Sequence, residues 1–124
     1  SYGGYTPVML GSDGDLTYFT LNKNIVGSNY TVTVLDDAGN TIYVGDVQGE
    51  ITCALLHRDA IYLLFDRSVM RVSLETGSQI SKEIDPNCIT IEKLDETTLM
   101  LCYAENTKII DIDAFFFGTA EQAE

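Results

Sequence analysis

Short runs of β-branched and aromatic residues recur along the whole chain, each closed by Gly, Asp or Asn. No window of twelve residues keeps an i, i+3, i+4, i+7 apolar stripe, so the pattern reads as strand throughout and leaves helix nearly absent. The expected strands are Pro7 to Leu10, Leu16 to Leu21, Tyr30 to Leu35, Thr41 to Val47, Ile51 to Leu56, Ala60 to Phe65, Val69 to Leu74, Gln79 to Ile84, Cys88 to Lys93, Thr98 to Tyr103 and Lys108 to Ile112, with a last one at Phe115 to Phe117. These fall into groups of four within residues 5–48, 49–86 and 87–124 of a single all-β domain. Antiparallel four-stranded meanders, about three of them, are the fold this spacing demands.

The turn residues agree with that grouping. Asp36-Asp37-Ala38-Gly39-Asn40 and Glu75-Thr76-Gly77-Ser78 join the third and fourth strands of their groups, with Gly39 and Gly77 free to take positive φ. Asp66-Arg67-Ser68 and Glu105-Asn106-Thr107 are tight links between second and third strands, whereas the first group carries a longer loop from Asn22 to Asn29. Overlaying the groups aligns Val32 and Val34 with Met70 and Val72, then with Ile110 and Ile112, at offsets of 38 and 40 residues. Equal spacing of core positions is what stacked copies of one sheet require, because each copy buries its faces against its neighbours.

Val72-Ser73-Leu74-Glu75-Thr76-Gly77-Ser78-Gln79-Ile80 resembles the strand, turn and strand of quinoprotein-type β-propeller repeats. Val34 to Tyr43 is similar to a shorter-turned version, and the third group keeps Ile110-Asp111-Ile112-Asp113 without the glycine. The likeness extends to membrane-anchored bacterial propeller-like proteins, and it implies a degenerate propeller working outside the cytoplasm or at the cell surface of a bacterium. Ser81 stands where the blade tryptophan would fall and the chain has no Trp, so the resemblance brings no quinone cofactor with it. Three blades are fewer than the four to eight of closed rings. The chain is then a sector of a longer propeller, half of a ring that two copies complete, or another β arrangement such as an up-and-down barrel.

Nineteen acidic against seven basic residues give a formal charge of −12, which repels phosphate backbones and argues against nucleic acid as a partner. The excess lies on the flanks: residues 1–50 hold six acids and one base, 87–124 hold eight and two, and 51–86 are nearly balanced with five and four. Acidic strand faces and turns keep an edge-rich β surface soluble. No apolar run is long enough to span a bilayer, so no membrane contact is expected of this segment. The chain opens at Ser1 without Met, as a piece of a longer parent would, and an anchor or export signal is expected upstream if there is one.

Candidate chemistry is sparse. The only histidine, His57, reads as a residue ending a strand, although Asp59 or Cys53 stand near enough in sequence to orient it as a base. Asp13 and Asp15 have the Asp-X-Asp spacing that opens calcium loops, yet the chain then runs straight into a strand, which makes them weak candidates for a metal. Asp111 and Asp113 are expected on one face of one strand, where paired carboxylates could share a cation or a proton. Cys53, Cys88 and Cys102 sit in apolar runs as small hydrophobes, with one disulfide open to an exported parent. Asn29-Tyr30-Thr31 fits the glycosylation pattern, and Tyr18, Phe19, Tyr30, Tyr43, Tyr62 and Phe65 read as core packing between sheets.

No catalytic residue and no cofactor are assigned. The expected role is a non-catalytic interaction or ligand-binding scaffold whose partner is another protein or a second copy. The alternative is a lobe of a larger enzyme, or a small-ligand-binding β domain, with its active residues outside this chain.

Overall fold

The computed structural model describes residues 5–14, 17–24 and 29–118, and these form eleven strands and one helix. Strands β1 (Tyr5–Ser12), β2 (Thr17–Asn24), β3 (Asn29–Asp36) and β4 (Thr41–Gln48) pair in that order as sheet 1. Strands β5 (Cys53–His57), β6 (Ala60–Leu64), β7 (Ser68–Ser73) and β8 (Gln79–Glu83) form sheet 2. Sheet 3 has β9 (Thr90–Lys93), β10 (Thr98–Cys102) and β11 (Thr107–Asp111), followed by helix α1 (Ile112–Phe117). Consecutive strands within each sheet pair antiparallel, so all three are meanders.

Beta-strand side chains alternate between faces, and sheet 2 uses both of its faces for core. Ile61 and Leu63 of β6 point back into a cluster with Phe19, Leu21, Val32 and Val34 of sheet 1. Ala60, Tyr62 and Leu64 point forward into a second cluster with Ile91, Leu99 and Leu101 of sheet 3 and with Ile112 and Phe116 of α1. All five residues of β6 are buried, which is why its sequence Ala-Ile-Tyr-Leu-Leu runs without a polar break. Each large apolar side chain so buried contributes about 1.5–3 kcal/mol. The first strands line up as well: β1 lies beside β5, and β5 beside β9. The three sheets therefore fan out from a shared inner edge, as consecutive propeller blades do.

Sheet 3 departs from the expected four strands. Phe115 to Phe117 belong to α1, where Asp111 acts as N-cap, its carboxylate accepting from the Ala114 N–H at 2.9 Å, and Gly118 closes the helix at φ 60. Ile112 and Phe116, one turn apart, are the residues this helix buries. The aromatic run favours strand by propensity, but caps at both ends and an i, i+4 apolar pair override it. As a result Asp111 and Asp113 do not share a strand face: one ends β11 and caps, and the other sits in the first helical turn.

The repeat alignment also needs a correction of register. Val32 and Val34 lie on the third strand of sheet 1, as Met70 and Val72 do in sheet 2, but the first pair faces forward toward sheet 2 and the second faces back toward sheet 1. An even offset of 38 residues thus matches strands correctly and faces wrongly, because the spacing between blades shifts parity. The expected long loop is shorter too, since β2 runs on to Asn24 and Asn29 already opens β3; residues 25–28 lie outside those described.

Turn chemistry is as the sequence requires. Gly39 and Gly77 have φ of 88° and 77°, a region that costs an L-residue with a side chain steric strain. Asp36 accepts from the N–H groups of Asn40 at 2.8 Å and Ala38 at 3.0 Å. Asp95 accepts from the Thr98 hydroxyl at 2.6 Å and from the N–H groups of Thr97 and Thr98 at 2.9 and 3.0 Å. The Asn40 amide holds the Asp36 carboxyl below its ordinary value, and the Thr98 hydroxyl does the same for Asp95.

Two predictions follow from these turns. Gly39→Val and Gly77→Val should each destabilise by about 1 kcal/mol or more in urea unfolding, and unchanged midpoints would contradict the positive-φ assignment. Because both carboxyls are lowered in the folded state, their stabilisation is present above the unfolded value near 3.9 and is lost as pH falls through the folded values. The melting temperature should drop from about pH 5 toward pH 3, and less steeply in a double Asp36→Asn, Asp95→Asn variant. Parallel pH profiles for the two proteins would show that these turns do not carry the effect.

Candidate functional site

Two places concentrate features that a β-meander core does not need. The first is a cleft of about 190 Å³ between sheets 2 and 3, lined by the β5–β6 turn, the β9–β10 turn and the start of α1. Here Arg58 occupies a two-residue link with φ 58°, a conformation that favours glycine. Its guanidinium lies 3.4 Å from the Glu96 carboxylate, and His57, buried beside it, places Nε2 3.1 Å from the Glu96 carbonyl. A carbonyl only accepts, so Nε2 carries the proton and the ring clamps one hairpin to the other.

Arg71 crosses the same cleft. It donates from Nε to the Tyr62 hydroxyl at 3.3 Å, pairs with Asp59 at 3.5 Å, and stacks 5.2 Å from the centre of the Phe117 ring. Tyr62 in turn meets Phe116 at a ring separation of 5.6 Å, and burial raises its hydroxyl pKa. These contacts tie β6, β7 and α1 together. A second depression, of about 330 Å³, gathers Ser12 and Asp13 at the end of β1, His57 and Arg58 at the end of β5, Lys93 at the end of β9, and Glu96. Sequence reasoning missed Arg71 and Glu96 and read Tyr62 only as core packing, since register across β6–β7 and a contact between two sheets create these polar roles.

The residues singled out from sequence are not brought together. His57 meets Glu96, Asp59 turns to Arg71, and Cys53 lies 3.3 Å from the Thr90 hydroxyl, so no base with its orienter forms among them. Asp13 is exposed, with its N–H on the Thr17 carbonyl at 3.1 Å, and Asp15 lies outside the described residues. Among the described residues, no three His, Cys, Asp or Glu side chains gather to hold a metal ion. All three cysteines are free thiols and half-buried, not fully so. Burial raises the Cys88 thiol, which makes it a poorer nucleophile at neutral pH.

The second place is the rear face of sheet 1, which no other element of the described residues covers. Its rows are Leu10, Thr20, Thr33 and Val44, and beside them Tyr18 and Leu35. Leu10 is 74% exposed, Val44 58% and Tyr18 41%, which corrects the expectation that Tyr18 is core. None of these six is charged; the carboxylate of Asp46, in the next row, accepts from the Thr31 hydroxyl at 3.1 Å. At the other end of the fan, the forward face of sheet 3 presents Met100 and Ile109, the latter 62% exposed, alongside Glu92.

Arg71→Met should cost about 1–3 kcal/mol, because it strips the donor from a buried hydroxyl. In a Tyr62→Phe background the same change should cost less, and a double-mutant cycle by urea unfolding measures the difference; equal costs would place the stabilisation elsewhere.

No family model matches the chain, and no curated protein is similar to it. Among solved structures, BamB from Moraxella catarrhalis, a β-propeller, superposes with a TM-score of 0.57 at 13% identity, over 82% of this chain and 32% of that one. The likeness is one of fold: this chain is an all-β array of antiparallel blades of the propeller kind, spanning about a third of the length of the BamB chain.

Proposed function

We propose that this chain is a non-catalytic sector of a propeller-type scaffold that holds protein partners, acting outside the cytoplasm of a bacterium. The observation that carries the reading is the rear face of sheet 1. On a chain of net charge −12, the rows from Leu10 to Val44 and through Tyr18 and Leu35 hold no charge at all. Depletion of charge around exposed apolar and aromatic side chains is the compositional mark of an interface core. The clefts support the same reading from the other side, because Arg58, Arg71 and His57 are each engaged with a neighbouring hairpin or strand. The extracytoplasmic setting rests on the resemblance to membrane-anchored bacterial propellers; no helix among the described residues is long and apolar enough to cross a membrane.

A photo-crosslinking residue placed at Thr33 in cells should yield protein adducts that the same residue at Thr76, in an exposed turn, does not. Absence of adducts at both positions, or equal adducts at both, would count against the face as a binding surface.

A further inference from the structure

The three cysteines, far apart in sequence, meet around Thr90. Cys53 opens β5 and places Sγ 3.3 Å from the Thr90 hydroxyl, and Cys102 ends β10 as the register partner of Thr90. Cys88 donates from Sγ to the Thr90 carbonyl at 3.5 Å and to the Cys102 carbonyl at 3.6 Å. Burial raises the Cys88 thiol, and the charge that Cys102 and Cys53 would carry raises it further, an effect that requires the three to lie close. All are free and half-buried, and among the described residues they belong to no group able to hold a metal ion. We propose that Cys88 and Cys102 are a redox pair that closes as a disulfide and fastens the link between sheets 2 and 3 to β10. The inference is independent of the scaffold reading, because it concerns two side chains within this chain.

Geometry selects this pair over the other two. A disulfide needs Cα atoms about 4.4–6.8 Å apart, and hydrogen-bonded neighbours in a sheet lie about 4.7–4.9 Å apart. The Ile89 N–H donates to the Cys102 carbonyl at 2.8 Å, so the residue next to Cys88 is bonded to Cys102 itself. Cys88 lies in the link between β8 and β9, outside both ladders and after Asn87 at φ 74, where a slight shift brings sulfur onto sulfur without breaking a strand pair. Cys53 is held in the β5–β6 ladder, and its sulfur meets the Thr90 hydroxyl. A small disulfide suffices as oxidant. The Cys102 thiolate attacks it, expels one thiolate and becomes a mixed disulfide; the Cys88 thiolate then attacks the Cys102 sulfur and expels the second. The two protein thiols are oxidised, the reagent is reduced to two thiols, and the protons pass from the first pair to the second. Burial of Cys88 sets this order, since a raised thiol is a poor attacker of an external reagent but is already in place for the internal step.

Incubating the folded 124-residue chain with oxidised glutathione should lower its free thiols from three to one, with Cys88 linked to Cys102 in the peptide map. The bridge closes a loop around the β9–β10 hairpin, and constraint of a loop of that length should raise the melting temperature by about 10 °C, reversibly with dithiothreitol. Cys88→Ser and Cys102→Ser should each abolish the link and the shift, whereas Cys53→Ser should keep both. A link that maps to Cys53, loss of the link in Cys53→Ser, or glutathione adducts without an internal link would overturn the proposal. The peptide map of the unsubstituted chain decides the matter even where a serine variant does not fold.

Discussion

Burying both faces of β6 is the constraint from which the rest of the structure follows. A strand with Ile61 and Leu63 on one side and Ala60, Tyr62 and Leu64 on the other needs an apolar sheet against each face. Sheet 2 therefore cannot exist with a single neighbour, and its two partners are held at the spacing of stacked sheets, about 10 Å. The flanking sheets face a different problem. Each has one face satisfied by sheet 2 and one that no element among the described residues covers.

The polar clamp at the top of sheets 2 and 3 belongs to the same logic. Among the described residues sheet 3 has three strands, and α1 folds back so that Ile112 and Phe116 reach the cluster around Tyr62. That places a tyrosine hydroxyl deep in an apolar contact, where an unpaired oxygen is costly. Arg71, directly opposite Tyr62 on β7, supplies the donor and carries its charge out to Asp59 and over Phe117. The cleft is thus explained by packing: its charges close hairpins and satisfy Tyr62.

Strand positions were legible because the signals are local. Hydrophobic alternation and turn residues place all eleven strands of the described residues within a few residues, and Gly39 and Gly77 take the positive φ that their turns demand. What failed was information that alternation does not hold. An overlay of repeats by spacing cannot see which face a valine serves, so Val32 was matched with Met70 across opposite faces. The three phenylalanines before Gly118 look like strand until Asp111 is read as a cap, a signal present in the sequence but outvoted by aromatic propensity. The clamp was the least legible part, because His57 and the Glu96 carbonyl lie 39 residues apart and only stacking brings them together.

The distribution of charge completes the picture. Carboxylates such as Asp36 and Asp95 serve turns, where they tie up backbone N–H groups, and Glu50 and Asp85 pair with Lys23 and Lys108 at the margins of sheets. Acidity in this protein is therefore placed where it costs little folding energy and keeps strand edges from pairing with other chains. The same pressure would put acids on the rear of sheet 1 if that face met water throughout the protein's working life. Its threonines, leucines and valine are instead what a half-buried pleated surface carries, β-branched and uncharged. An otherwise strongly acidic chain that holds no charge in the rows from Leu10 to Val44, with Asp46 only in the next row, fits the proposal that this part of the face meets a partner.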